Sequence, residues 1–403
     1  MAQQLLSDVT VLDLTWHISG PYCTKLMADY GAEVIKVERP GEGDPARRMG
    51  PFLGDDPHPE KSGLFLHLNT NKKGITLNLK SEWGKESIKR LVAKADILVE
   101  SFTPGVMERL GLGYEVLEQV NPRLVVTSIS NFGQTGPYRL FKASELIHNG
   151  MGGDMYSCGL PEREPLKLGS NVVQYQSGTM AAAATMIAFY AARYQGVGQQ
   201  VDISIMETQL GTIDRRAPQL LAYQYVGEVT PRNDPRRRMM YPYGIFPCQD
   251  GYVDLVGGVL FWGRVVKAMG LDPEEMARFG NPLGQYNEEL REEFYNNYWW
   301  PWILDKTKEE VLAATQGAKL YSAPLNTAED LVNDPHWRER GYFVEIDHPA
   351  AGRLTYTGAP VRSPSWQIRR PAPLLGEHNE EVYTKILGCS KADLVRLAER
   401  GAI

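Results

Sequence analysis

Short apolar runs alternate with amphipathic stretches along the first half of the chain. Val9–Leu14 is such a run, rich in β-branched and aliphatic residues. A loop follows over Thr15–Pro21, then a stretch with helical spacing from Tyr22 to Tyr30, which Gly31 ends. Glu33–Glu38 reads as a second strand. Strand, helix and strand in that order predict a βαβ unit, and hence a parallel sheet. The alternation continues. Ile75–Leu79 is strand-like, Trp83–Lys94 has helical periodicity, and Asp96–Glu100 and Leu124–Ile129 read as further buried strands. Met180–Tyr194, rich in Ala and Met, predicts a core helix whose methionines serve packing. Val201–Ile205 is the last apolar run of the series.

The pattern then changes. Residues 225–325 carry Pro, Arg and many aromatics, among them Trp299, Trp300 and Trp302, and predict a smaller second domain after a large domain over 1–224. An aromatic cluster of this kind is more often core than ligand cage. A C-terminal segment over 326–403 becomes turn-rich from Asp334 and closes on a short helix, Lys391–Glu399.

With 403 residues, 43% of them hydrophobic, the chain can bury a large core. A net charge of −6 leaves no footprint for nucleic acid, yet a local basic cluster in an acidic protein still binds anions. The start, MAQQLLSDVTVLDL, does not read as a secretory signal, and no run reaches the ~20 apolar residues of a membrane span. Cys23, Cys158, Cys248 and Cys389 are scattered, without the spacing of a metal site. They fit free thiols in a reducing cytoplasm.

Candidate chemistry begins where the first strand ends, in Trp16-His17-Ile18-Ser19-Gly20-Pro21-Tyr22-Cys23. A loop at the carboxyl end of a parallel strand is where α/β sheets bind ligands, and a helix start there favours an anion. Basic residues follow several strand ends: Arg39, the pair Lys72 and Lys73, Arg109 and Lys142. Singly each reads as a surface charge; together they could gather a polyphosphate. A further basic run, Arg232 to Arg238, contains Arg236, Arg237 and Arg238, any of which could clamp a substrate carboxylate. No GxGxxG, P-loop, HExxH or Ser-His-Asp order is present. His17 fits a hydrogen-bonded histidine better than a catalytic one.

In VLDLTWHISGPYCTKLMADYGAEVIKVERPGEGDPAR, NKKGITLNLKSEWGK, ADILVESFTPGVMERLGLGYEVLEQVNPRLV, ISNFGQTGPY, GVGQQVDISIMET, YPYGIFPCQDGYV and APLLGEHNEEVY the chain resembles the family III CoA-transferases along nearly its whole length. The resemblance implies a Rossmann-like α/β large domain, a smaller α+β domain, a C-terminal segment returning to the first, and two chains interlocked as a dimer. It implies a coenzyme A thioester as substrate, with no permanently bound cofactor and no metal. Arg39, Arg109 and Lys142 match basic residues that face CoA, and Phe102 an aromatic beside the nucleotide. Lys72 and Lys73 lie in the matching basic segment, and Glu145 matches an acid near the thioester.

The family's catalytic aspartate stands four residues before a helix-opening glycine. In GSNVVQYQSG, Gly169 to Gly178, that place holds Gln174. Ser101 stands where the family has Asn, and the family's glycine-rich loop shrinks to Val256-Gly257-Gly258-Val259. The expectation is a chain without the nucleophile, acting beside a homologous second subunit that carries the Asp. In this it resembles the aspartate-lacking subunit of succinyl-CoA:(R)-benzylsuccinate CoA-transferase, of anaerobic aromatic degradation. A homodimeric CoA-thioester lyase or racemase, and a CoA-thioester-binding protein without turnover, remain as alternatives.

Overall fold

The computed structural model describes residues 4–403 except 213–215, 230, 233–239 and 364–365. The chain divides into two compact units, one made of Met1–Met155, Lys167–Val229 and Arg338–Ile403, the other of Tyr156–Leu166 and Thr230–Trp337.

The first unit is built on six strands, β1 (Thr10–Leu14), β2 (Glu33–Glu38), β3 (Lys73–Thr76), β4 (Ile97–Glu100), β5 (Val125–Ser130) and β6 (Gln199–Ser204). They form one parallel sheet in the order β3-β2-β1-β4-β5-β6. The helices are α1 (Ser19–Asp29), α2 (Gly63–Leu68), α3 (Glu82–Val92), α4 (Val106–Arg109), α5 (Tyr114–Val120), α6 (Glu145–Met151), α7 (Val172–Gln195), α8 (Ile205–Thr212) and α9 (Arg216–Val226).

The period-two alternation of strands explains why the sheet is covered on both faces. Val11, Val99 and Val125 face a core with Cys23 and Met27 of α1 and Ala181 and Phe189 of α7. Leu12, Leu98 and Val126 face a second core with Ile88 of α3, Leu117 of α5 and Tyr383. The C-terminal segment is pinned to β3: Tyr383 donates to the Thr76 carbonyl at 2.5 Å, and the Thr76 amide donates to Asn379 at 2.8 Å. In this strand order the chain reverses direction across the sheet between β1 and β4. The crevice outside the carboxyl ends of those two strands is where such sheets take ligands.

Buried ion pairs brace the loops that rim the crevice. Lys72 meets Asp13 at 2.9 Å, Lys36 meets Asp44 at 2.9 Å, and Arg47 meets Glu38 at 2.7 Å and Glu60 at 2.6 Å. Asp44 also accepts from the His17 amide at 3.1 Å. His17 sits at φ 65°, in the left-handed region, so this bond holds the β1 loop in a conformation a histidine rarely adopts.

The second unit carries an antiparallel sheet of β7 (Tyr243–Cys248), β8 (Gly251–Val256) and β9 (Tyr321–Pro324), with α10 (Trp262–Met269) and further short helices. Its core is aromatic: Trp299 is fully buried among Phe246, Phe294 and Trp302, so the cluster is packing rather than a ligand cage. Two further strands, β10 (Phe343–His348) and β11 (Gly352–Thr357), pair as a hairpin within the first unit.

Candidate active site

A cleft of about 180 Å³ opens at the carboxyl ends of β1 and β4. The β1 loop gives it Trp16 and Ser19, the β4 loop Ser101 and Phe102, the segment before α6 Arg139 and Lys142, and the first turn of α7 Gln174.

Two loops are tied together across the crevice. The Trp16 amide donates to Ser101 Oγ at 3.0 Å, and the Trp16 and Phe102 rings meet edge-to-face with centroids 5.5 Å apart. The Arg39 guanidinium lies over the Trp16 ring at 4.1 Å, beside the exposed Glu42. Two rings therefore line one wall, with the Arg39 cation held against one of them. On the other, Phe141 meets the Tyr138 ring in a tilted contact at 4.9 Å, and both rings meet Phe132 edge-on.

Gln174 stands at the third position of α7, a long helix that opens without a side-chain cap from Asn171. Glu145 of α6 supplies the missing anion. Its carboxylate accepts from the Val173 amide at 2.9 Å and from the Gln174 amide at 3.3 Å. The Gln174 side chain is fixed at both ends. Its Oε1 accepts from Ser19 Oγ at 2.6 Å, and its Nε2 lies 3.4 Å from His148 Nδ1. Burial pushes His148 down to about 4, so near neutrality its imidazole is uncharged, and the tautomer it adopts sets whether Nδ1 accepts from that amide. The close approach of α1 and α7 needs Gly178, where a Cβ would stand 2.6 Å from the Ser19 carbonyl oxygen.

The structure brings Phe102, Lys142 and Gln174 to one cleft, sets Arg39 against its Trp16 wall and puts Glu145 directly beneath Gln174. It does not bring Lys72, Lys73 or Arg109 to its walls. The Lys72 amine is buried with Asp13, Asn69 and the Pro21 carbonyl, and Lys73 pairs with Glu33 and Glu381. Arg109 ends α4 at the surface. Arg236, Arg237 and Arg238 lie outside the described residues. Sequence reasoning missed Arg139, which the cleft shares with Lys142, and the roles of Trp16 and Ser19 inside a loop it had marked. Among the described residues no group of three or more His, Cys, Asp and Glu could hold a metal, and no helix is long and apolar enough to cross a membrane.

Comparison with known proteins bears on this arrangement. The chain is 32% identical to succinyl-CoA–D-citramalate CoA-transferase of Chloroflexus aurantiacus, over 99% of this chain and 98% of that protein. It is also 32% identical to formyl-CoA:oxalate CoA-transferase of Rhodopseudomonas palustris, over 98% and 97% respectively. Among solved structures, a CAIB/BAIF family protein from Brucella suis superposes with a TM-score of 0.83 at 26% identity, covering 96% of this chain and all of that one (100%). Rv3272 from Mycobacterium tuberculosis does so with a TM-score of 0.77 at 27% identity, covering 94% and 98%. Residues 6–379 match the sequence profile of CoA-transferase family III, and the chain belongs to that family.

Proposed function

We propose that this chain is the non-nucleophilic subunit of a heteromeric family III CoA-transferase, working beside a homologous subunit that carries the catalytic aspartate. The observation that carries the reading is Gln174. Transfer through an enzyme-bound anhydride needs an anionic oxygen. At the position read as the aspartate slot there is an amide, held by Ser19 and lying against His148. The nearby carboxylate, Glu145, is engaged with backbone amides of the α7 first turn. That engagement counts against its use as a substitute nucleophile or base.

The cleft itself still suits part of an acyl-CoA. Its volume of about 180 Å³ takes a thioester and its pantetheine end rather than the whole molecule. Lys142, Arg139 and, against the Trp16 ring, Arg39 would face phosphate or carboxylate, and Trp16 and Phe102 offer apolar faces to the pantetheine arm. The relatives are named for moving CoA from succinyl-CoA or formyl-CoA to an acid. Succinyl-CoA with (R)-benzylsuccinate as acceptor, in anaerobic aromatic degradation, is the substrate pair proposed here.

An interlocked dimer fits the surface of the first unit. Met180, Ile187, Tyr190 and Tyr194 form an exposed apolar stripe along α7, with Ile187 at 72% and Tyr194 at 72% exposure. Leu220, Tyr223 and Val226 expose another on α9. The test is to purify the chain alone and with its homologous partner and to assay transfer from succinyl-CoA to a free acid. Turnover by the pair only is expected. Clean turnover by this chain alone overturns the reading.

A further inference from the structure

Glu100, the last residue of β4, has no role in the site described so far. It is 4% exposed, and among the described residues no cation pairs with it. Its carboxylate accepts from the Phe102 amide at 2.7 Å, and the hydroxyl of Ser128 on β5 is its other hydrogen-bonding neighbour. Beside it lies a cavity of about 10 Å³, the volume of one water, lined also by Gln134, Gln200 and Glu108. Gln134 Nε2 is buried there without a partner. The charged groups around Glu100 are both acids, Glu108 of α4 and Asp202 of β6.

We propose that Glu100 is a proton-dependent positioning residue: ionised, it grips the Ser101–Phe102 wall of the cleft, and protonated, it lets that wall loosen. The Phe102 amide donates to a full negative charge in one state and to a neutral carboxyl in the other, and the charge-assisted bond is the stronger. Ser128 can donate to the ionised carboxylate or accept from the protonated one, so the Glu100 side chain has a partner in both states. The wall that is gripped matters because Ser101 accepts from the Trp16 amide and Phe102 packs on the Trp16 ring, under Arg39. Burial, reinforced by Glu108 and Asp202 and partly offset by Ser128 and the Phe102 amide, pushes the carboxyl up to about 7, so the change falls at physiological pH.

That the gripped wall receives CoA rests on the function proposed above; the gripping itself does not, and two measurements separate them. The first is hydrogen exchange of the peptide bearing Phe102, without ligand, in the full chain and in Glu100→Gln. After correction for intrinsic rates, protection in the unmodified chain should rise about fivefold between pH 6 and 8 and stay flat in the variant. The same rise in both proteins, or none in the unmodified chain, overturns the proposal. The second is calorimetry with CoA in two buffers of different ionisation enthalpy. The unmodified chain should bind more tightly as pH rises and release protons in excess of Glu100→Gln. The ligand's phosphates and the rest of the chain are common to both proteins, so the difference isolates Glu100. A protection step with no CoA binding at any pH refutes the CoA reading and leaves the gripping established. CoA binding with identical proton release in both proteins overturns the link from Glu100 to the cleft.

Discussion

Ser19 and Gln174 lie 155 residues apart in the chain, and Ser19 Oγ donates to Gln174 Oε1 at 2.6 Å. The bond joins the first residue of α1 to the first turn of α7, at the foot of the cleft. It fixes the amide so that its carbonyl faces α1 and its nitrogen faces His148. A carboxylate at this position would meet the same serine donor and would replace the amide N–H group that faces His148 with an acceptor.

The amide should therefore be chemically inert. Incubation of the chain with succinyl-CoA, followed by hydroxylamine or borohydride and peptide mass spectrometry, should show no covalent change at Gln174. A modified residue 174 would contradict the proposal directly. Gln174→Asp should restore little activity, because on the proposed reading Ser101 and the short Val256–Val259 loop are also departures from the family's pattern.

Glu145 acts on the helix start, and its removal should be read there. Glu145→Ala leaves the Val173 and Gln174 amides without their acceptor and should cost about 1 kcal/mol. Hydrogen exchange should speed up in the peptide over Val172–Ser177 and hardly change at the C-terminal end of α7. Uniform loosening of the whole helix would mean that the cap is not local.

The Trp16 ring joins Arg39 to Phe102, so Trp16→Ala should disorder both partners of one wall. Stacking and cation–π contacts of this kind are worth about 1–2 kcal/mol, or about tenfold in CoA affinity by calorimetry. Arg109→Ala, at a surface position off the cleft walls, should change affinity far less. Equal losses in the two variants would place the ligand elsewhere.

Acid stability should reveal the Asp13–Lys72 pair. Burial alone would raise the Asp13 carboxyl, but Lys72 and Lys36 outweigh it and hold it far below the usual carboxylate range. A depressed carboxyl adds stability that is present above its unfolded value of about 4 and is lost as pH falls through and below that value. Lys72→Met removes a buried partner and should cost about 3–5 kcal/mol at neutral pH. Denaturant unfolding from pH 7 to 3 should show the variant losing much less further stability in acid. A parallel acid loss in both proteins would assign the effect to other groups.

Association can be probed on the apolar stripe of α7. Ile187→Glu places a charge in its centre, 72% exposed in the single chain. Sedimentation should show a shift toward monomer, with the fold retained by circular dichroism. An unchanged assembly state would leave that face without the proposed partner.

Much of the fold was legible in the chain because burial of a parallel sheet writes itself into sequence. β2 was read to the residue at Glu33–Glu38, and the closing helix at Lys391–Glu399, because local period and flanking Gly or Ser suffice there. The start of α7 was read too late, at Met180 rather than Val172. Its first turn has no local side-chain cap; its capping anion is Glu145, far upstream, and no local pattern contains it. Lysines divided in the same way. Sequence marked Lys72 as a ligand cation, whereas its buried position immediately before β3 placed it against Asp13.

The sequence by itself determined the alternation of strands and helices, the family, and the presence of an amide at position 174, since these depend on residue identity, spacing and order. Tertiary structure alone decided which cations are free and which are buried in ion pairs, that Trp16 bridges Arg39 and Phe102, and that Ser19 and Glu145 hold Gln174 in place. The reason is physical: hydrogen bonds and ion pairs form between groups that folding brings within a few ångströms, and local periodicity carries no record of partners tens of residues or more away.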